Sequence, residues 1–159
     1  METVYLSLGS NLGDREKNLS MATSLIVTQY ASYLGSDIVE SSIIETEPWG
    51  FKSDNKFLNQ VIGFDVETTP EKLLEVCKWV EKKLGRDDKP EYDSAGNRIY
   101  HSRTIDVDIL LYGDMEIREP NLQIPHAKLF KREFALKPLE EIVSANLKPF
   151  LAAQKEKLH

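Results

Sequence analysis

A β-strand is predicted by Arg103-Thr104-Ile105-Asp106-Val107-Asp108-Ile109-Leu110-Leu111-Tyr112-Gly113, because β-branched, aliphatic and aromatic residues dominate it. Gly113 and Asp114 then supply turn chemistry at its end. Side chains at i and i+2 share one face of a strand, so Asp106 and Asp108 are predicted to project together, with Cα atoms roughly 7 Å apart. The opposite face carries Ile105, Val107 and Ile109, which would fix the strand by burial.

The two carboxylates of this strand repel each other, and a bound cation relieves that repulsion. Hard divalent ions prefer oxygen ligands, and phosphoryl-transfer enzymes use them in pairs. An Asp-x-Asp considered alone is more often a solvated strand face. Here Arg103 precedes the pair, and Pro125-His126 and Arg132 follow it. Carboxylates for a metal beside cations for phosphate indicate a triphosphate site.

The length and composition favour one globular domain over residues 1–159. Hydrophobic residues make up 41% and charged residues 29%, as in ordinary soluble proteins. The formal net charge of −6 argues against a protein that binds duplex nucleic acid by neutralising many phosphates. A nucleotide site stays possible, because local arginines can overcome a modest global charge.

Cysteine usage and hydropathy set the expected compartment. Cys77 is the only cysteine, so no internal disulfide or cysteine zinc site is expected. The apolar runs are too short for a transmembrane helix, and the N-terminus lacks the pattern of a signal peptide. We therefore expect a cytoplasmic protein without a membrane partner. No exposed apolar face is evident, so a monomer is expected, with a dimer left open.

The order of elements predicts the fold class. Strands are expected at residues 4–8, 37–44 and 57–66 and at the central segment, and helices at about 14–33 and from Pro70 to Gly85. This β-α-β-β-α-β order is the α+β, ferredoxin-like pattern, an antiparallel sheet with two helices on one face. We expect C-terminal additions: a short return strand at 115–117, a helix at 136–143 and a frayed tail at 154–159.

Several features have a structural and a functional interpretation. Gly9 and Gly13 flank a strand-to-helix turn, but a Walker A ending and a dinucleotide fingerprint are missing, so a tight structural turn is favoured. Cys77 lies on the apolar stripe of its helix and is expected in the core. Glu81 lies close to that stripe, and the pattern alone indicates an ordinary surface acid.

Aromatic residues surround an amide in the middle of the chain. Trp49 and Phe51 fall in a polar loop, and Phe57 and Asn59 share one face of the following strand. Packing over the edge of the core is the more common role for such loop aromatics. The alternative is a slot for a flat heterocycle that stacks on the rings and hydrogen-bonds the amide.

A long connection without periodicity covers residues 86–102. Connections of this length between two elements are uncommon and often serve as lids over a site. A tolerated insertion is the alternative. We expect this segment to close over bound ligands and exclude water.

With these residues in view, the chain resembles the 6-hydroxymethyl-7,8-dihydropterin pyrophosphokinase family of folate biosynthesis. The resemblance covers nearly the whole chain and rests on five ordered motifs: 8–13 (LGSNLG), 57–59 (FLN), 84–86 (LGR), 103–110 (RTIDVDIL) and 124–126 (IPH). The family transfers pyrophosphate from ATP to the hydroxymethyl group of the pterin and leaves AMP. The resemblance thus implies a Mg²⁺-dependent enzyme with ATP and the dihydropterin as its substrates.

The resemblance assigns roles residue by residue. Asp106 and Asp108 match the pair that holds two Mg²⁺ ions, and three phosphate-contacting positions are matched by Arg103, His126 and Arg132. The positions that line the ATP site are matched by Lys78, Glu81, Tyr100, Ile109 and Gln123. For the pterin, the matching residues are Phe57 and Phe134 for stacking, Asn59 for the ring edge, and Thr46 and Trp49 for backbone contacts.

Two other functions remain as alternatives. A non-catalytic ferredoxin-like module could bind RNA through exposed aromatics on its central strands, but the matching strand here carries two aspartates and the net charge is negative. A degenerate pyrophosphokinase that binds nucleotide without turnover is the second. The chain departs from the family pattern at Asp88, Tyr100, Asn121 and Ala127, which bears on the loop and nucleotide contacts and leaves the metal pair untouched.

Overall fold

The computed structural model describes residues 1–30, 38–47, 56–85, 91–96, 98–99 and 104–157. Residues 31–33, the last residues of the helix expected at 14–33, lie outside these ranges. Among the described residues, no helix combines the length and the apolar character required to cross a bilayer.

The main sheet is antiparallel throughout, as predicted. Its strands are β1 (Glu2–Ser10), β2 (Val39–Glu40), β3 (Ile44–Thr46), β4 (Phe57–Val66) and β7 (Asp106–Tyr112). The order across the sheet is β2-β4-β1-β7, and β3 also pairs with β4. Two antiparallel hairpins lie off this sheet: β5 (Glu91–Tyr92) with β6 (Arg98–Ile99), and β8 (Ile117–Glu119) with β9 (Leu122–Ile124). The ferredoxin-like prediction is confirmed, because β4 and β7 run parallel on either side of β1.

Two helices cover one face of the sheet. They are α1 (Arg15–Tyr30) and α2 (Pro70–Lys83). The start of α2 follows its sequence signal: Thr69 is the N-cap and its hydroxyl accepts from the Lys72 N–H at 3.2 Å, with Pro70 next in the chain. The helix ends before Gly85, whose φ of 103° suits glycine. The core between helices and sheet contains Val4, Leu6, Leu8, Leu19, Ile26, Leu73, Cys77 and Val80.

Two further helices cover part of the opposite face. They are α3 (Glu133–Ile142) and α4 (Lys148–Glu156), and a second buried cluster joins them to the sheet. This cluster contains Tyr5, Val61, Leu110, Leu111, Leu136, Leu139, Leu147 and Leu151. The expectation of a frayed tail is wrong for residues 154–156, because α4 continues through them. Gln154 is buried and donates to Glu116 Oε1 at 2.9 Å.

Other boundaries differ from the sequence prediction for local reasons. The single strand expected at 37–44 is two short strands, β2 and β3, with a break at Ser41 and Ser42. At the break the Ser41 side chain replaces the backbone as acceptor, because its Oγ accepts from the Val61 N–H of β4. The Ser42 N–H turns away and donates to Glu141. The return strand begins at Ile117, two residues later than the range 115–117 would have it. The expected connection at 86–102 contains β5, β6 and a turn at residues 93–96, and its other residues lie outside the described ranges.

A β-bulge lies where β1 and β7 pair. Tyr5 is opposite Leu111, whereas Leu6 is opposite Ile109, so β7 contains one extra residue. The extra residue lets Leu110 and Leu111 both enter the second buried cluster. Beyond the bulge, Asp106 and Asp108 lie on the same face as Leu111. This face therefore has a covered end beneath α3 and α4 and another end that carries polar side chains.

Candidate active site

A row of paired residues crosses the polar end of the sheet. Gly9 on β1 is opposite Asn59 on β4 and also opposite Asp106 on β7. Directly opposed residues of antiparallel strands project to the same face. The amide and the carboxylate therefore lie on one face, and glycine places no side chain between them. In the next row, Ser7 is opposite Asp108.

One end of this row is an aromatic and amide pocket. The Asn59 Nδ2 group donates to Thr46 Oγ1 at 2.8 Å and to the Ile44 carbonyl at 3.2 Å. Asn59 Oδ1 faces the space above Gly9, where a Cβ atom would lie 3.4 Å from it and 3.5 Å from Phe57 Cδ1. The backbone of Gly9, the Phe57 ring and Asn59 Oδ1 thus form a slot. β3 fixes this arrangement, because Thr46 is also opposite Phe57.

The other end of the row joins an acid to two nitrogen donors. Asp108 is 34% exposed, and its Oδ1 lies 3.9 Å from His126 Nε2. Its Oδ2 lies 3.9 Å from Arg132 Nη1. The Arg132 guanidinium carbon lies 5.8 Å from the centroid of the Phe134 ring, a cation–π distance. Arg132 therefore connects the carboxylate pair to the second aromatic residue predicted for the pterin slot.

His126 differs from the cation suggested by the sequence. Burial, followed by the neighbouring charge of Arg132, lowers the pKa of His126 to about 4, although Asp106 acts in the opposite direction. The imidazole is therefore neutral at pH 7. Its Nδ1 accepts from the Lys128 N–H at 3.1 Å, which leaves the proton on Nε2, the atom that faces Asp108. His126 is a neutral hydrogen-bond donor.

The β8–β9 hairpin brings His126 to this position. The His126 N–H donates to the Leu110 carbonyl of β7 at 3.1 Å. Just before it, Arg118 Nη1 donates to the Ile124 carbonyl at 2.7 Å, and the Ile124–Pro125 peptide is cis. Two backbone hydrogen bonds, one at the Ile124 carbonyl and one at the His126 N–H, thus fix the chain at the histidine. The sequence showed Pro125 and His126 but gave no indication of Arg118.

A cavity of about 290 Å³ opens beside Asp108 and His126. It lies between α2, the edge of β7 and the β8–β9 hairpin. Among its lining residues are Leu74, Ile109, Asn121 and Gln123. Two residues predicted for the nucleotide, Ile109 and Gln123, therefore share one cavity with the metal and phosphate candidates. Its volume is near the lower end of the range for small-molecule sites.

The two α2 residues predicted for the nucleotide have different surroundings. Lys78 is exposed and lies one helical turn after Leu74, a residue that lines the cavity. Glu81 is buried, with 6% exposure, so the interpretation as an ordinary surface acid is wrong. Its Oε2 accepts from the Val107 N–H at 2.9 Å. The spacing held a signal for this burial, because Glu81 follows Cys77 by four residues on the same stripe.

Three predicted site residues, Trp49, Tyr100 and Arg103, lie outside the described residues. Ser7, which the sequence did not single out, and Gly9, which was expected in a turn but lies within β1, are in the middle of the site. Their position follows from strand register, which a single strand pattern cannot reveal. The motif at 8–13 indicated that Gly9 belongs to a functional segment, but it did not indicate that Gly9 lies between Asn59 and Asp106.

The donor atoms suit a hard divalent cation. Asp106 and Asp108 offer carboxylate oxygens from one strand face, and both residues are partly exposed. Mg²⁺ prefers oxygen ligands and is commonly held by one or two carboxylates together with substrate phosphates. The chemistry of this pair therefore fits Mg²⁺ bound with a phosphate ligand.

Comparison with known proteins gives close relatives over most of the chain. The family model for 7,8-dihydro-6-hydroxymethylpterin-pyrophosphokinase (HPPK) matches residues 5–144. The chain is 39% identical over 143 residues to 2-amino-4-hydroxy-6-hydroxymethyldihydropteridine pyrophosphokinase of Porphyromonas gingivalis, covering 89% of this chain and 91% of that protein. It is 38% identical to the protein of the same name from Aquifex aeolicus, covering 89% of this chain and 81% of that protein. It is 36% identical to the one from Bacillus subtilis, covering 87% of this chain and 76% of that protein.

Solved structures of HPPK-DHPS proteins share the fold. A crystal structure of HPPK-DHPS in complex with substrates matches with a TM-score of 0.66 and 12% identity, covering 99% of this chain and 43% of that one. Wild-type Plasmodium falciparum HPPK-DHPS matches with a TM-score of 0.61 and 15% identity, covering 89% and 41%. The chain spans less than half the length of these proteins. The family model and the closely related sequences together establish that this chain belongs to the 7,8-dihydro-6-hydroxymethylpterin-pyrophosphokinase family.

Proposed function

We propose that the chain transfers diphosphate as a unit from ATP to the hydroxymethyl oxygen of 6-hydroxymethyl-7,8-dihydropterin, giving AMP and the dihydropterin diphosphate. Membership of the HPPK family supports this reaction class. The observation that supports it most within the chain is the row Asn59, Gly9 and Asp106. It makes an acceptor slot and a proposed metal-binding carboxylate close neighbours on one sheet face.

Asp106 and Asp108 would hold two Mg²⁺ ions together with the ATP phosphates. When bound, Mg²⁺ neutralises phosphate charge and polarises the phosphoryl oxygens. The strand fixes the two carboxylates side by side, so they need no rearrangement to act together. Asp108 also faces His126 and Arg132, so its orientation is supported from two sides.

Three nitrogen donors would contact the phosphates. Arg132 offers its guanidinium, and its contact with the Phe134 ring limits the orientations of that group. His126 would donate from Nε2 as a neutral imidazole, because its pKa is lowered to about 4. Arg103 is proposed from the sequence alone. Arg132 and His126 would be preorganised where negative charge shifts during transfer, which lowers the barrier.

The pterin would lie in the slot above Gly9. Phe57 and Phe134 would stack on its ring system, and Asn59 Oδ1 would accept from a ring N–H or amino group, since the Asn59 Nδ2 protons already bind Thr46 and Ile44. Thr46 and Trp49 would add backbone contacts. The hydroxymethyl oxygen then forms a bond to the β-phosphorus while the bond from that phosphorus to the α-phosphate oxygen breaks. AMP leaves with that oxygen, and the hydroxyl proton is released to solvent. Catalysis by positioning requires no protein nucleophile.

The nucleotide would occupy the cavity beside Asp108. Ile109 and Gln123 line this cavity, and Lys78 lies one turn from its lining residue Leu74. Tyr100 is added from the family alone. The family also suggests Glu81, but its Oε2 accepts from the Val107 N–H, and we propose a different role for it below. We also propose that residues 1–159 form one pyrophosphokinase domain that works in the cytoplasm. A monomer is the expected state, with a dimer left open, and no nucleic acid or membrane partner is expected.

The test is turnover of Asp106→Asn and Asp108→Asn variants at saturating Mg²⁺. Each should lose roughly 10²–10³-fold in kcat, the scale for removing one preorganised electrostatic contact. Folding should survive, because both side chains are partly exposed. Asp114→Asn, an exposed acid two residues beyond β7, is the matched control and should keep full turnover. Turnover like that of the unchanged protein in either site variant would refute the metal assignment.

A further inference from the structure

Glu81 is a carboxylate in an apolar setting. It belongs to α2, and its helix neighbours Cys77 and Val80 are in the core beneath the sheet. Removing a carboxylate from water is costly unless hydrogen bonds replace its hydration. The bond from the Val107 N–H at 2.9 Å is one such replacement.

The donor of that bond lies between the two aspartates. On an antiparallel strand the backbone groups of successive residues point alternately to opposite edges. The Val107 N–H turns away from β1 to reach Glu81, while Asp106 and Asp108 are opposite Gly9 and Ser7 on the β1 side. Among the described strands of the main sheet, β7 is the last in the order. Glu81 therefore supplies at this edge an acceptor that a neighbouring strand would otherwise provide.

We propose that Glu81 is a positioning residue: its carboxylate holds the backbone of β7 at Val107 and so fixes how Asp106 and Asp108 stand relative to each other. This rests on the proposed function, in which the two aspartates bind Mg²⁺ with ATP. It differs from the role inferred from the family, where Glu81 lines the ATP site. The essential property in our proposal is the reach of an acceptor oxygen to the Val107 N–H, and not a negative charge offered to the nucleotide.

Two variants separate reach from charge. Glu81→Gln keeps the length and an acceptor oxygen but removes the charge. Glu81→Asp keeps the charge but shortens the side chain by one methylene, so the oxygen withdraws from Val107. Glu75→Asp is the matched control, because Glu75 is an exposed acid six residues earlier on the same helix.

Two readouts do not depend on turnover. The first is hydrogen exchange of the Val107 amide, followed by NMR. The second is Mg²⁺ affinity in the presence of α,β-methylene ATP, an analogue that cannot release AMP, measured by calorimetry. We expect Glu81→Gln and Glu75→Asp to keep both the amide protection and the affinity. In Glu81→Asp both should fall by about tenfold or more, the scale of leaving one buried N–H without its acceptor.

Two results would overturn the proposal. One is a Glu81→Asp variant that keeps Val107 protection and Mg²⁺ affinity. The other is a Glu81→Gln variant that keeps Val107 protection yet loses metal or analogue affinity, which would show that the charge acts on the ligand. Failure of the proposed function is seen separately, because the unchanged protein would then release no pterin-dependent AMP whatever the Glu81 variants do.

Discussion

At the scale of single residues, Gly63 shows how closely the sheet face is packed. Tyr5 lies opposite it on β1, and a Cβ atom added to Gly63 would lie 2.5 Å from Tyr5 Cε1. The ring is held in place, because its hydroxyl accepts from the Ser144 N–H at 2.8 Å. The ring therefore cannot move without disturbing the segment that joins α3 to α4.

We expect Gly63→Ala to lower the free energy of unfolding by about 1–3 kcal/mol, as overpacking of a filled site does. Gly9→Ala is the matched control, because its added Cβ would meet neighbours at 3.4 Å and 3.5 Å, within ordinary contact distance. Urea unfolding measures both. Equal stability of the two variants would mean that the Tyr5 ring is not fixed over Gly63.

Cys77 makes a prediction for pH. Its thiol is buried in the core, and this burial raises its pKa far above the usual range, with the neighbouring Glu81 acting in the same direction. In the unfolded chain the thiol ionises near pH 8.5, at about the ordinary value. The stability that the buried neutral thiol contributes is therefore fully present below that pH. It is lost as the pH rises, because the unfolded chain releases the proton and the folded chain keeps it.

Between about pH 8.5 and 9.5, this one group should lower the free energy of unfolding with a slope that approaches 1.4 kcal/mol per pH unit. Urea unfolding across that range measures the slope. Cys77→Ala is the comparison, because it removes the thiol while other groups titrate as before. Parallel pH curves for the two proteins would show that the Cys77 thiol ionises equally well in the folded state.

At the scale of elements, α4 is the part that the sequence predicted least well. The last residues were expected to fray because they are charged, yet Gln154 and Lys157 both bond to Glu116 Oε1 at 2.9 Å. Leu147 and Leu151 enter the second buried cluster. A short segment shows only a few apolar residues, so its docking depends on a surface that is not visible in its own sequence.

Leu151→Ala should lower the free energy of unfolding by about 2–5 kcal/mol, the usual range for such a truncation in a core. Lys155→Ala changes an exposed residue of the same helix and should alter it by no more than about 0.5 kcal/mol. Chemical denaturation compares the two variants. A Leu151→Ala protein as stable as the Lys155→Ala protein would mean that α4 does not dock on the sheet.

The other elements were predictable wherever a single local sequence pattern determines the element. The alternation of β7 predicted that Asp106 and Asp108 share a face and that Val107 and Ile109 are buried on the other, and the structure confirms both. The start of α2 is likewise a local pattern, because a threonine cap followed by Pro70 favours the beginning of a helix. The break at Ser41 and Ser42 was not predictable, because it depends on bonds to Val61 and Glu141.

At the scale of the whole molecule, one sheet face has two uses. Near the bulge it is filled by Tyr5, Leu110 and Leu111 beneath the C-terminal helices. Farther along β1 it carries Ser7 and Gly9 between the amide slot and the aspartates. The added helices thus cover one end of the sheet face, and the polar end carries the candidate site residues.

The site was predictable as a set of residue types but not as an arrangement. The sequence motifs identified Asp106, Asp108, His126, Arg132 and Asn59 as candidates. Gly9, which pairs with both halves of the site, and the burial of Glu81 depend on strand register and on helix packing. Such long-range relations appear only when separate segments meet in the folded chain.

The most direct measurement uses ATP radiolabelled in either the α- or the γ-phosphate, with and without 6-hydroxymethyl-7,8-dihydropterin. The proposed diphosphate transfer predicts that the γ-label moves to the pterin product and the α-label is recovered in AMP, in equal amounts and only when pterin is present. Labelled pterin formed together with ADP would contradict it, because a single phosphate would then have moved. AMP released equally without pterin would also contradict it, because water would then be the acceptor.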